Sequence, residues 1–216
     1  YTGKILVDLF PQTGTASINY SALVCFTVFW TFTAFFMITQ RLSVELSETS
    51  RIDFLTRAFN RRAGQDRLEQ EVRRVQRKNG VFTLVLIDID DFTDINETYG
   101  HPGGDSALVQ IADILKLRLR KEDMLSRWGG DEFMILLADA PQEGAVEVAK
   151  RLQATIKSRG INYRDHHFDC TLSIGIATFC GSEGKLDETL TGLENALNEA
   201  KALGGNKINV FHRHIS

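Results

Sequence analysis

Two short strand-like runs, Met124–Trp128 and Glu132–Ala138, flank a single Gly129-Gly130 pair. Glycine accepts the positive φ that tight primed turns require, so this spacing predicts a β-hairpin. A hairpin commits the chain to an antiparallel pair, and the pattern around it limits what that pair can join. Val81–Ile87 is a continuous apolar run bounded by Gly80 and acidic residues, as expected of a buried strand. Leu55–Lys78 has the pattern of an amphipathic helix interrupted by Gly64, and Gly104–Arg118 places Leu108, Ile111, Ala112 and Leu115 on one helical face. A helix over Gln142–Ser158, a strand over Thr171–Phe179 and a helix over Leu186–Leu203 come next. Gly204-Gly205 reads as the stop of that last helix, and Lys207–Phe211 as a final strand. Helices alternating with strands, plus one hairpin, imply an α/β (α+β) fold with a central mixed sheet wrapped by helices.

The N-terminal part has a different character. Asn19 to Thr39 runs without a charge and is about 20 residues long, enough to span a bilayer as a helix. Its threonines and serines are tolerated there because a helical hydroxyl can bond back to the backbone. A secretory signal core is disfavoured, since neither a basic leader nor a small-residue cleavage site accompanies it. The expected organisation is an extramembrane loop over residues 1–18, a transmembrane helix over 19–39, a signalling linker over 40–52 and a mixed α/β domain over 53–216. Arg41, just beyond the apolar stretch, favours a cytoplasmic side for the C-terminal domain, hence an inner-membrane location. The 216-residue chain carries a net charge of −3, which gives no basic footprint and argues against a nucleic-acid partner. Cys25, Cys170 and Cys180 form no metal-type or redox-type pair and read as reduced, buried thiols.

The candidate chemistry lies in carboxylates at strand ends. Asp88 directly succeeds an apolar strand, and Asp131 opens the second strand of the hairpin. Were those strands neighbours, the two carboxylates would repel each other and call for a cation; Mg²⁺ suits one or two carboxylates plus phosphate oxygens. Gly129 and Gly130 leave the turn unobstructed for a triphosphate. The loop from Ile89 through Phe92 to Thr93 offers backbone amides as an anion nest. Asn96 both donates and accepts, while Asp105 accepts from the N1–H and N2–H₂ donors of guanine; adenine lacks that donor pair. Each piece has a bland alternative: an acidic hairpin tip is an ordinary solvated turn, and Asn96 and Asp105 taken singly are helix caps.

In combination, DFLTRAFNRR (Asp53–Arg62), LIDIDDFTDIN (Leu86–Asn96), YGHPGGD (Tyr99–Asp105), RWGGDEF (Arg127–Phe133), SIGIA (Ser173–Ala177) and EAKALGGN (Glu199–Asn206) resemble the GGDEF family of diguanylate cyclases, in family order and spacing. The resemblance implies a sheet like that of the polymerase palm and the nucleotidyl cyclases. It implies two domains meeting as a homodimer, each with one GTP, to give cyclic di-GMP and two pyrophosphates. Carried onto this chain, Asp88, the carbonyl of Ile89 and Asp131 would bind Mg²⁺ or Mn²⁺, with Asp131 as general base and Glu132 in support. Phe92, Gly129, Gly130, Asn96, Asp105 and Lys201 would bind substrate, and Arg120 and Asp123, with Arg151, would bind the product as an inhibitory site. Two departures stand out: the family's lysine after the phosphate-loop phenylalanine is Thr93 here, and its late arginine is Gly205. The same departures make a weakly active receptor for cyclic di-GMP or GTP the alternative function.

Overall fold

The computed structural model describes residues 24–39, 50–181 and 184–212. The expected loop over 1–18, the start of the expected span at 19–23 and residues 40–49 of the expected linker lie outside the described residues. The chain divides into two units, residues 1–50 and 51–216, each taken by itself below.

In the first unit, residues 24–39 form a helix with Phe26, Phe29, Trp30, Phe32, Phe35 and Phe36 exposed on its surface. Thr27, Thr31, Thr33 and Thr39 donate their hydroxyls to carbonyls three or four residues earlier, the back-bonding expected of an apolar helix. The expectation of a transmembrane helix over 19–39 is not supported: among the described residues no helix is long and apolar enough to cross a membrane.

The second unit is built on a five-stranded sheet. Its elements, in chain order, are α1 (Arg61–Lys78), β1 (Val81–Ile89), α2 (Phe92–Lys116), β2 (Met124–Arg127), β3 (Glu132–Ala138), α3 (Gln142–Arg159), β4 (Ile161–Tyr163), β5 (His166–Phe168), β6 (Leu172–Cys180), α4 (Leu186–Ala202) and β7 (Ile208–Phe211). The sheet order is β2-β3-β1-β6-β7, with β4 and β5 forming a separate small hairpin. Only the β6–β7 pairing is parallel, so the sheet is mixed, as expected.

β1 sits at the centre and is buried on both faces, which is why its sequence reads as an unbroken apolar run rather than an alternating one. Val85, Ile87 and Ile89 pack into a core shared with Ala107, Ile111 and Leu115 of α2 and Leu152 of α3. Phe82, Leu84 and Leu86 point the other way, into a core with Leu68 of α1 and Leu193 and Leu197 of α4. Within that second core, Phe82 and Phe179 stack with centroids 4.9 Å apart.

Three features of the helices differ from expectation for physical reasons. α1 starts at Arg61 rather than Leu55, because the Asn60 side chain accepts from the Ala63 amide at 2.9 Å and caps the helix there. Gly64 does not interrupt that helix; a Cβ there would lie 2.8 Å from Ser126 Oγ, so glycine lets α1 lie close on β2. α2 begins twelve residues earlier than Gly104, at Phe92, and is kinked at Gly100, which has φ 72° and ψ 166° and precedes Pro102. Its first half carries too few apolar residues to announce itself, and the short polar β4–β5 hairpin is likewise unannounced.

Candidate functional site

β1 and β3 are neighbours, and Asp88 lies opposite Glu132 in their register, with Asp131 one residue earlier at the hairpin tip. This end of the sheet opens into a cleft of about 540 Å³ lined by Asp88, Ile89, Phe92, Thr93, Asp131 and Lys201, with Asp90, Asp91, Asp94, Thr171, Gly204 and Gly205. Five of the residues proposed from sequence for metal and phosphate therefore meet in one place: Asp88, Ile89, Phe92, Asp131 and Lys201.

Lys201 reaches this cleft through the packing of α4. A stripe formed by Leu193, Leu197 and Lys201, four residues apart, runs beside the stripe Leu84, Leu86 and Asp88 of β1. The two stripes are apolar until their last members, where Lys201 Nζ donates to Asp88 Oδ2 at 2.6 Å. Gly175 of β6 brings the helix this close: a Cβ there would sit 2.6 Å from both Leu193 O and Leu197 N. Asp88 is only 6% exposed. Burial pushes its carboxyl up to about 6; the Lys201 ammonium opposes that shift, and the charges of Asp131 and Glu132 add to it.

The hairpin is held differently from the expectation. Neither Gly129 nor Gly130 has a positive φ, and the loop spans residues 128–131 rather than 129–131, closed by Trp128 N donating to Glu132 O at 2.8 Å. A Cβ at Gly129 would lie 2.7 Å from Glu132 Oε2, the mobile end of that side chain, and at ordinary contact distance from the rest of it. Nothing lies within 4 Å of the corresponding position at Gly130, so the tip is open. Arg127 fastens this tip to the start of the domain: its Nε and Nη2 donate to Gly130 O at 3.1 and 2.6 Å, and Nη1 donates to Asp53 Oδ1 at 3.3 Å. Burial works to raise the Asp53 carboxyl, but hydrogen bonds from Thr56 and the Arg127 guanidinium outweigh it and hold the group below its ordinary value.

Asp90 is a site residue that sequence reasoning missed. Its carboxylate accepts from Thr171 Oγ1 at 2.6 Å, Ser173 Oγ at 2.5 Å and the Asn206 amide at 2.8 Å. It thus ties the end of β1 to β6 and to the turn after α4. Asp90 lies in the turn just past the end of β1, two residues beyond Asp88, where the sequence shows one more acidic residue of an acidic run. Asp91, in the left-handed conformation (φ 54°), turns the chain into α2 without capping it by side chain. The proposed nest is accordingly smaller than Ile89–Thr93. The Asp90 amide is spent on Thr171 O, and the orphan donors are those of the first turn of α2.

The remaining predicted residues fall in two further places. A Cβ at Gly104 would overlap Asn96 Oδ1 and lie 3.0 Å from its Cγ, so the kink at Gly100 folds the Asn96 amide onto the backbone beside Asp105. Asp105 itself is exposed. Arg120 and Asp123 sit in the turn before β2, at the opposite end of that strand from the glycine tip. Asp123 is already engaged there: Oδ2 accepts from the Arg120 amide at 2.9 Å and Oδ1 from the Ala138 amide at 3.3 Å. The Arg120 side chain is exposed, and Arg151 is exposed on α3. The cysteines are free, but only Cys170 is buried; Cys25 and Cys180 are exposed, contrary to the expectation. Burial pushes the Cys170 thiol up to about 12, which removes it as a nucleophile.

Among the described residues no three His, Cys, Asp or Glu side chains converge to hold a metal unaided. Asp88, Asp131 and Ile89 line one cleft, and two carboxylates with a backbone carbonyl are the class of oxygen donor that suits a magnesium ion keeping phosphate oxygens in its shell.

A mixed five-stranded sheet with an acidic cleft at the hairpin end of its central strand defines an α/β domain suited to a cation and a phosphorylated ligand. A family model described as the diguanylate cyclase GGDEF domain matches residues 50–207, and the chain belongs to that family. Diguanylate cyclase DgcP of Pseudomonas aeruginosa is 37% identical over 158 residues, covering 73% of this chain and 23% of that protein. The crystal structure of diguanylate cyclase SiaD with its activator SiaC, also from Pseudomonas aeruginosa, matches with a TM-score of 0.71 at 29% identity, covering 91% of this chain and 76% of that one. The GGDEF domain of DgcB from Caulobacter crescentus in complex with c-di-GMP has a TM-score of 0.70 at 24% identity, covering 74% and 95%, and attests the fold. The chain spans between 23% and 42% of the length of the curated relatives it matches.

Proposed function

We propose that the domain is a diguanylate cyclase that condenses two GTP into cyclic di-GMP and two pyrophosphates. The observation that carries this reading is the meeting of Asp88, Asp131 and Lys201 in one cleft beside the open Gly130 tip. In the reaction each ribose 3′-oxygen forms a bond to the α-phosphorus of the other GTP, and each α-phosphorus loses its bond to the bridging oxygen of a departing pyrophosphate. Two P–O bonds form and two break, and each hydroxyl proton passes to a base and then to solvent. Asp131, at the tip and lining the cleft, is the base. Asp88, Asp131 and the carbonyl of Ile89 would hold a Mg²⁺ or Mn²⁺ ion, which supplies charge neutralisation at the triphosphate when bound. Glu132, directly opposite Asp88, keeps the local charge negative. The first turn of α2 and Lys201 take the phosphates. Asn96 and Asp105 read the guanine edge through one donor and several acceptors.

One cleft takes one GTP, so the reaction requires a second copy of the domain facing the first. Product feedback through Arg120, Asp123 and Arg151 belongs to the same reading. A purified domain incubated with GTP and Mg²⁺ should release cyclic di-GMP, and the D131A variant should not. Product from D131A at the wild-type rate would remove the assigned chemistry.

One observation favours a second reading, a receptor that binds cyclic di-GMP or GTP with little turnover. Among the described residues that line the cleft, Lys201 is the sole cation, since Thr93 and Gly205 stand where the resemblance calls for lysine and arginine. Tight nucleotide binding without product in the same assay would select it. We place the protein at the inner membrane with this domain in the cytoplasm, on the strength of the charge-free stretch Asn19–Thr39 and its exposed aromatic residues. Recovery of the full protein from the soluble fraction after lysis would overturn that placement.

A further inference from the structure

Among the described residues, the cleft brings together Asp88, Asp90, Asp91, Asp94 and Asp131 with a lone cation, and that cation is not waiting for phosphate. Lys201 Nζ lies 2.6 Å from Asp88 Oδ2, on the carboxylate assigned to the metal. Asp88 is nearly inaccessible, whereas the Lys201 side chain is 41% exposed. A buried carboxylate next to two other carboxylates needs a positive partner, and Asp88 finds it in this ammonium. The lysine stem is long and flexible, and its head is a compact point charge that changes partners without rebuilding the helix that carries it.

We propose that Lys201 is the resident counter-ion of Asp88, that a divalent cation must displace it, and that the phosphates of the incoming nucleotide supply its alternative partner. This rests on the metal assignment proposed for the cyclase reaction and adds an order to it. A free metal ion entering alone must evict Lys201 from Asp88 and leave the ammonium without an anion. A metal–triphosphate complex brings the replacement anion with it, so the cleft takes its cation as the nucleotide complex and discriminates against the bare ion. The position of Lys201 supports this, because it is the last residue of the Leu193–Leu197–Lys201 stripe and leaves the helix body free to stay packed on Gly175. With Gly205 in place of an arginine, no described residue lining the cleft relieves Lys201 of either task.

The test is Mn²⁺ binding followed by its own magnetic resonance signal, on wild-type domain and the K201M, K201R and D88N variants, with and without inorganic tripolyphosphate. Removing the competing charge in K201M should tighten binding of Mn²⁺ alone by about threefold to tenfold, the scale of one partly exposed charged contact. The same variant should lose most of the gain in Mn²⁺ affinity that tripolyphosphate gives the wild type, while K201R, which keeps the charge, should bind Mn²⁺ alone as the wild type does. Equal or weaker binding of Mn²⁺ alone by K201M would overturn the proposal. Should D88N bind Mn²⁺ as well as wild type, the metal assignment itself fails, an outcome separate from failure of the exchange. A melting curve for each variant identifies any loss of folding, and K201A then serves as a second neutral variant at this exposed position.

Discussion

Replacing Gly175 by alanine probes the packing that delivers Lys201 to Asp88 without touching either residue. The added Cβ would lie 2.6 Å from Leu193 O and Leu197 N and 3.0 Å from Leu197 Cβ. The first two are backbone atoms of α4, so no rotamer change relieves them, and each contact is roughly 1 Å inside ordinary van der Waals separation. Overpacking of this kind costs about 1–3 kcal/mol. Alanine in a strand recovers roughly 0.5–1 kcal/mol over glycine through the unfolded chain, so the steric term wins by about 1–2 kcal/mol. For a domain of this size that corresponds to a fall in Tm of about 2–8 °C. Relief requires α4 to move away from β6, and Lys201 moves with it. GTP turnover should therefore fall by more than the unfolded fraction explains, and G175V should exaggerate both effects. Urea denaturation and a pyrophosphate-release assay on the same samples measure the two quantities. A G175A domain as stable and as active as wild type would refute the claim that this glycine sets the height of α4 above the sheet.

Asp88 ties stability to pH in a definite direction. Its folded carboxyl titrates at about 6 against an ordinary value of 3.8, so the folded state holds the extra proton between those values. Stability contributed by this group is present below the lower value and is lost as pH rises through the upper one. D88N should therefore gain stability relative to wild type between about pH 4 and pH 7, by on the order of 3 kcal/mol, while turnover disappears; a constant difference across that range in denaturation curves would contradict this. At limiting Mg²⁺, wild-type turnover should decline as pH drops below about 6, where Asp88 of the metal-free cleft becomes protonated, and saturating Mg²⁺ should move that decline to lower pH. R127A frees the Gly130 carbonyl and leaves Asp53 without its ion-pair partner, so it should cost about 1–3 kcal/mol by chemical denaturation, and R127K should restore only part because it lacks the fork. Cys170 should resist alkylation at about pH 8 in the folded domain while Cys180 reacts, which peptide mapping after iodoacetamide reads directly.

The sheet is legible in the sequence because its strands carry a strong signal. β1 is buried on both faces and so reads as one apolar run, and the β2–β3 hairpin is marked by glycines. Those glycines serve a purpose different in kind from the one their spacing suggests. The spacing points to conformation, yet neither Gly129 nor Gly130 has a positive φ, and what they provide is an open tip that meets only the mobile end of Glu132. The first half of α2 is hard to read for a different reason: residues 92–94 border the cleft and only Ile95 is buried before the kink, so the segment lacks the apolar period on which a helix is recognised. Motif spacing identifies the cleft residues but not their mutual contacts. That Lys201 rests on Asp88 depends on how far α4 settles onto β6, a tertiary distance fixed by Gly175. Asp90 escapes notice because its partners Thr171, Ser173 and Asn206 lie more than eighty residues away.

The cleft's shortage of cations is written into its backbone. Gly205 has φ 68° and Gly204 φ 93°, and Asn206 comes next at φ 50°, so the turn after α4 runs through three left-handed residues. Asp90 holds that turn through the Asn206 amide, and a Cβ at position 205 would lie 3.1 Å from its carboxyl carbon. A side chain here is therefore penalised twice, by its backbone conformation and by contact with an anchored carboxylate. An arginine would gain charge complementarity with Asp90 but would be drawn to that carboxylate, away from a phosphate. The turn and its anchor are thus fitted to glycine, and the positive charge of the cleft is concentrated on Lys201. Asp88 and the triphosphate then share one ammonium between them, and the same substitution that thins the phosphate site makes that sharing the central electrostatic fact of the cleft.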